Sequence, residues 1–167
     1  MHTFAFGLLF VGGVLSHAAS QAPAVYQRPT TVTIVISGVP GDRTGSYEMK
    51  APSSICGEIP KEASLTGEAV FIVEFPSDMP AGGRITSVAF SSNQLVAGVK
   101  RSTRFRLTAG IVRADGGKPA LYVLNTDSGQ PKNVGGATLA ATKGTVTLMV
   151  TGQNDLGETV ELTVSCE

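Results

Sequence analysis

Apolar and polar positions alternate along this chain, and no long stretch repeats its apolar residues at helical spacing. In residues 31–37, Val32, Ile34 and Ile36 share one face while Thr31, Thr33 and Ser37 share the other, the pattern of a half-buried strand. The run "SGVPGDRTGS" then supplies Gly38, Pro40, Gly41 and Gly45 before an extended pattern resumes at Tyr47, so a hairpin with a long loop is expected. "AVFIVEF" at 69–75 is apolar on both faces except for Glu74, as in a central strand covered on both sides. Further strands are expected at 85–90, 104–113, 119–124 and 137–141, separated by "PAGGR", "ADGGKP", "TDSGQP" and "NVGGA". "GEIPKEASLTGEA" and "SSNQLVAGVKR" are interrupted by Gly or Pro and are expected to be loops or single turns. The final hairpin places Val146, Leu148 and Val150 on one face of its first arm, and Val160, Leu162, Val164 and Cys166 on one face of its second. About eight or nine strands in one domain predict an all-β fold, an antiparallel β-sandwich of jelly-roll or immunoglobulin-like type, with a closed barrel as the alternative.

The N-terminus departs from this pattern. An apolar run from Phe4 to Leu15 is followed by small residues, with Ala18 and Ser20 or Ser20 and Ala22 at the positions a signal peptidase reads. Residues 1–22 are therefore expected to be a signal peptide and 23–167 a single β domain that is secreted, periplasmic or on the cell surface. The leader is atypical in having only His2, and no Lys or Arg, before its apolar run. The run is shorter than the roughly 20 apolar residues that span a bilayer, so no stable membrane span is expected in the mature form.

Two cysteines are present, Cys56 in "SSICGE" and Cys166 beside the end. An even count in an exported chain favours a bridge, and with two the pairing is forced. A reactive thiol would need an electropositive, exposed setting, whereas Cys166 sits on an apolar strand face and Cys56 has Glu58 nearby.

Charge and residue types remove whole classes of chemistry. Net charge is zero and the pI is about 6.7, so there is no basic field for a nucleic-acid backbone. Both histidines, His2 and His17, fall in the expected leader, which leaves the mature chain without a His base, a His metal ligand or a Ser–His or Cys–His pair. Neither a cofactor nor a metal is implied. "GVPGDRTGS" lacks the Lys and Ser or Thr of a phosphate loop. Carboxylates remain for catalysis, among them Glu48, Glu58, Glu62, Glu68, Glu74, Asp78, Asp115, Asp155, Glu158 and Glu161, but they are scattered singly. A hydrolase using a carboxylate pair stays open as an alternative.

The one charge cluster is "KRSTRFR". An extended chain here would place Lys100, Ser102, Arg104 and Arg106 on one face and Thr103, Phe105 and Leu107 on the other. Lys100, Arg101, Arg104 and Arg106 are the candidate ligand-binding residues, with a solvated strand face as the simpler alternative. "GQNDLGE" offers Asn154, Asp155 and Glu158 as oxygen ligands but reads first as a tight turn. Tyr26, Tyr47 and Tyr122 are the candidates for a sugar-stacking platform.

"TVTIVISG", "GSYEM", the early Cys, "GTVTLMVTG" and "ETVELTVSC" together resemble a group of uncharacterised secreted or lipoprotein-type β proteins of bacteria. The resemblance covers the first and last thirds of the mature chain, implies an exported bacterial protein with a cysteine staple, and assigns no catalytic residue. The expected function is a non-catalytic exported binding or surface-structural module for a glycan, an anionic polymer or another envelope protein. A lipocalin-like barrel carrying a small apolar ligand is the second reading.

Overall fold

Among the described residues, the segments in which apolar residues alternate emerge as strands. The computed structural model describes residues 27–38, 44–75, 85–112 and 120–167. Among these residues are β1 (Gln27–Ser37), β2 (Gly45–Ile59), β3 (Val70–Glu74), β4 (Ile85–Ser92) and β5 (Arg101–Ser102). The remaining strands are β6 (Arg106–Ile111), β7 (Ala120–Asn125), β8 (Val134–Thr142), β9 (Thr145–Gln153) and β10 (Thr159–Cys166). All pair antiparallel in one sheet, in the order β5-β8-β9-β10-β1-β2-β3-β4-β6-β7, curled into a half-barrel. The expected leader, Tyr26, residues 39–43, "PAGGR", "ADGGKP", Asp78 and Asp115 lie outside the described residues.

Register explains the core. Leu148, Val164, Val32 and Met49 stand side by side across β9, β10, β1 and β2, and Val150, Leu162, Ile34 and Tyr47 form the next row. In the other limb of the sheet, Val73, Phe90, Leu107 and Leu124 line up across β3, β4, β6 and β7. All twelve are buried, and each fully buried side chain of this kind contributes about 1.5–3 kcal/mol. Phe90 stacks on Phe105 at 5.6 Å and meets Phe71 edge-on at 6.4 Å.

β2 turns the corner between the limbs. Its residues 45–55 follow β1, and its last five residues, Ile55–Ile59, pair with β3. At the bend the register slips, so that Pro29 of β1 faces both Pro52 and Ser53 of β2. Neither proline has an N–H to lose, which makes this the least costly place to break the ladder. The Thr30 hydroxyl donates to the Arg28 carbonyl at 3.0 Å and pairs with the buried Ser54 hydroxyl. Past this corner, Cys56 reaches Cys166 of β10 and forms the expected disulfide, with the Cα atoms 6.4 Å apart.

The limbs meet at the opposite margin. β5 pairs with β8, β6 pairs with β4 and β7, and only residues 103–105 separate β5 from β6. The four steps from Ser102 to Arg106 reach at most about 14 Å, so the sheet is forced to curl. Gly135 and Gly152 are partners in the β8–β9 ladder. A Cβ on Gly152 would lie 2.6 Å from Leu124 Cδ2, and one on Gly135 would lie 3.1 Å from Phe105 Cζ. The missing side chains let the limbs touch there.

Some expectations need correction. β3 is internal in the sheet as expected, with β2 and β4 on its flanks, but Val70 and Ile72 on its outer face are only half-buried. "NVGGA" is not a separator, because Val134, Gly135 and Gly136 open β8. Of the two interrupted stretches, the first holds a single 3-10 turn at Lys61–Ala63 after β2 ends, and the second opens with the last two residues of β4 and is loop from there to β5.

Candidate functional site

The basic stretch does not form one face. Ser102, placed by spacing beside Lys100, Arg104 and Arg106, is buried, and so is Phe105 three residues later. A continuous strand with only one face covered cannot bury both, because its faces alternate. Serine hydroxyls hold the break: Ser102 Oγ accepts the Arg104 N–H at 2.9 Å and Ser92 Oγ donates to the Arg104 carbonyl at 2.7 Å. The four cations part company as a result. Arg104 Nε pairs with Asp127 at 3.1 Å. Arg106 stands on the outer face beside a recess of about 210 Å³ that Glu74 and Thr108 share. Arg101 is exposed on β5, opposite Thr138. Lys100 alone lines a large cleft.

That cleft, of about 660 Å³, lies between the end of β2, the 96–100 loop and the turn of the β8–β9 hairpin. Phe71, Leu139, Val146 and the disulfide-bonded Cys56 give it an apolar floor, with Leu139 and Val146 packed against the main core. Val99, Ala140 and Ala141 form an exposed apolar rim. Arg28, Glu58 and Lys100 are the charged residues of its lining.

Two tight turns make the lips. In the first, Val99 N–H donates to the Val96 carbonyl at 3.1 Å, and Ala97 and Gly98 have φ of 52° and 83°. In the second, between Thr142 and Thr145, Lys143 and Gly144 have φ of 50° and 92°. Two successive positive φ values are the signature of the turns that match the twist of a hairpin. A charged side chain from the β1–β2 hairpin fastens each lip. Glu58 Oε2 accepts the Ala97 N–H at 3.0 Å, and Arg28 Nη1 donates to the Gly144 carbonyl at 2.8 Å. Ala97 holds a left-handed conformation that costs an L-residue with a side chain about 1–2 kcal/mol. Strain of this kind persists where neighbouring contacts over-determine it, and the Glu58 bond to the Ala97 N–H is one such contact.

No family model, curated protein or solved structure matches this chain.

Other candidates are absorbed by structure. Tyr47 and Tyr122 are buried, and the Tyr122 hydroxyl donates to the Glu158 carbonyl at 3.3 Å, so neither offers a face to a sugar. In "GQNDLGE" the Asn154 side chain accepts the Leu156 and Glu158 N–H groups and donates to Glu158 Oε2 at 2.8 Å, which is turn chemistry. Glu68 and Asp127 both line an outer groove of about 620 Å³. The first accepts from Asn93 Nδ2 and the second pairs with Arg104. No group of three or more metal-ligating side chains occurs among the described residues. None of their helices is long and apolar enough to cross a membrane.

Spacing found Lys100, gave Glu58 only as one of the scattered carboxylates, and missed Arg28. Arg28 and Glu58 reach the same cleft through the β1–β2 register and the corner at Pro29, which no local motif announces. The dipeptide Arg28–Pro29, ahead of an alternating run, was the one usable signal, since a proline there marks an edge or a bulge.

Proposed function

We propose that the protein is an exported, non-catalytic binding module on a sandwich-like β support, and that it receives an anionic group in the cleft at Lys100, beside Arg28. The carrying observation is that Lys100 lines an apolar cleft without an ion-pair partner among the described residues, whereas Arg104 is already matched by Asp127. Lys100 stands exposed at the cleft, so an anion reaches its ammonium without the cost of burying an unpaired charge. The Cys56–Cys166 bridge supports an oxidising compartment. The basic residues outside the cleft act as solvated surface in this reading.

The test is a nuclear magnetic resonance titration of the full chain with butanoate, a bare small anion. Shifts should centre on Gly98, Lys100 and Ala140 and disappear in Lys100→Ala. Shifts centred on Arg104 and Arg106, or persisting unchanged in Lys100→Ala, would reject the site.

A further inference from the structure

We infer that the ligand of this cleft is a single-tailed anionic amphiphile, a long-chain carboxylate, with its head on Lys100 and its acyl chain over Phe71, Leu139 and Val146. The inference rests on the reading of the cleft as an anion site and specifies what the anion carries. Three observations lead to it.

The first is how little polar recognition the lining offers. Of its three charged side chains, Glu58 is engaged with the Ala97 N–H and Arg28 with the Gly144 carbonyl. A glycan or an extended peptide needs donors and acceptors spread along its length. Here side-chain chemistry concentrates at the rim, and the floor is hydrocarbon and a buried disulfide.

The second is charge. Among the described residues, the lining carries two cations and one carboxylate, a net single positive charge. That suits a monoanion, whereas a phosphate monoester would bring a second negative charge toward Glu58.

The third is size and exposure. A cleft of about 660 Å³ is of the size that holds small ligands. Its rim leaves Val99 48% exposed and Ala140 and Ala141 open to solvent. A flexible methylene chain covers such a surface without requiring directional partners, and gains with every carbon removed from water.

Calorimetric titration of the full chain with butanoate, octanoate, dodecanoate and dodecanol, all below micelle-forming concentrations, tests the inference. Each methylene added to the carboxylate should tighten binding by about two- to fourfold until the floor is covered. Lys100→Ala should weaken dodecanoate by about tenfold and leave dodecanol unchanged. Ala140→Glu places a carboxylate on an exposed rim position and should weaken dodecanoate by at least about tenfold, with the strand spectrum and the Cys56–Cys166 bridge intact. A flat chain-length series that still depends on Lys100 overturns the acyl tail and leaves the anion site standing. Dodecanol binding as tightly as dodecanoate, with Lys100→Ala neutral, overturns the anionic head and the proposed site together. The absence of binding by every probe does the same.

Discussion

The two ends of the β8–β9 hairpin face the rest of the sheet in opposite ways. At the Val134–Gln153 end, Gly135 and Gly152 carry no side chains, and Leu124 and Phe105 of the other limb fill the space. At the Thr142–Thr145 end, Leu139, Ala140, Ala141 and Val146 do carry side chains, yet the facing wall stands off and leaves the cleft. The same two strands thus seal one end of the molecule and hold the other open. Small residues alone do not explain an opening, since the glycines are where contact is closest. What keeps the open end apart is its attachment to the corner: the disulfide fixes β2 against β10, and Arg28 and Glu58 hold the two lips.

The largest expected effect comes from cutting that attachment. Replacing both Cys56 and Cys166 by Ala should lower stability by about 4 kcal/mol, as expected for releasing a loop that spans a sequence separation of 110 residues. Urea unfolding of the oxidised protein and the double variant measures it. The loss should come with weaker butanoate binding, because the floor loses its anchor. A variant as stable as the parent would mean that packing around the corner, and not the sulfur link, shapes the open end.

Next in size is a single methyl group at the closed end. Gly152→Ala forces a Cβ to within 2.6 Å of both Leu124 Cδ2 and the Val134 carbonyl, and should cost about 2–3 kcal/mol. Combining it with Leu124→Ala should cost less than the sum of the two, since the smaller residue vacates the contested space. Ala140→Val at the open end should stay within about 0.5 kcal/mol of the parent, because that position is exposed. Equal costs at the two positions would erase the distinction between sealed and open ends.

This contrast also separates what the sequence makes legible from what it hides. Period-two alternation placed β1, β4, β7, β9 and β10 close to where they lie, because burying one face of a sheet sets local parity. Cysteine arithmetic gave the bridge. Three things escaped, each because it depends on a partner distant in sequence. Gly135–Gly136 resembles a turn until the limb bearing Phe105 approaches. Residues 100–106 resemble one strand until β8 claims one end and β4 and β7 the other, which moves Ser102 inward. Arg28 joins Lys100 only through the bulge at Pro29. Of the candidate cations, the cleft keeps Lys100 and leaves Arg101, Arg104 and Arg106 elsewhere.

The smallest effects concern the lips, and they sharpen the comparison by asking whether the open end is strained. Ala97 and Lys143 occupy equivalent places in two turns, each just before a glycine and each at positive φ. Ala97→Gly removes the Cβ penalty but loosens the unfolded chain, so the net gain should be about 0.5–1 kcal/mol. Lys143→Asn keeps a side chain that tolerates this conformation and creates the Asn-Gly pair favoured in two-residue hairpins, for a gain of about 0.5 kcal/mol. Thermal unfolding should show both variants melting a few degrees above the parent. The discriminating measurement repeats Ala97→Gly in a Glu58→Gln background. If the Glu58 carboxylate holds Ala97 in its strained conformation, weakening that acceptor lets the loop relax by itself, and the gain from glycine should shrink. An undiminished gain would mean that the turn holds its shape without Glu58, and that this lip of the cleft is set by residues 96–99 alone.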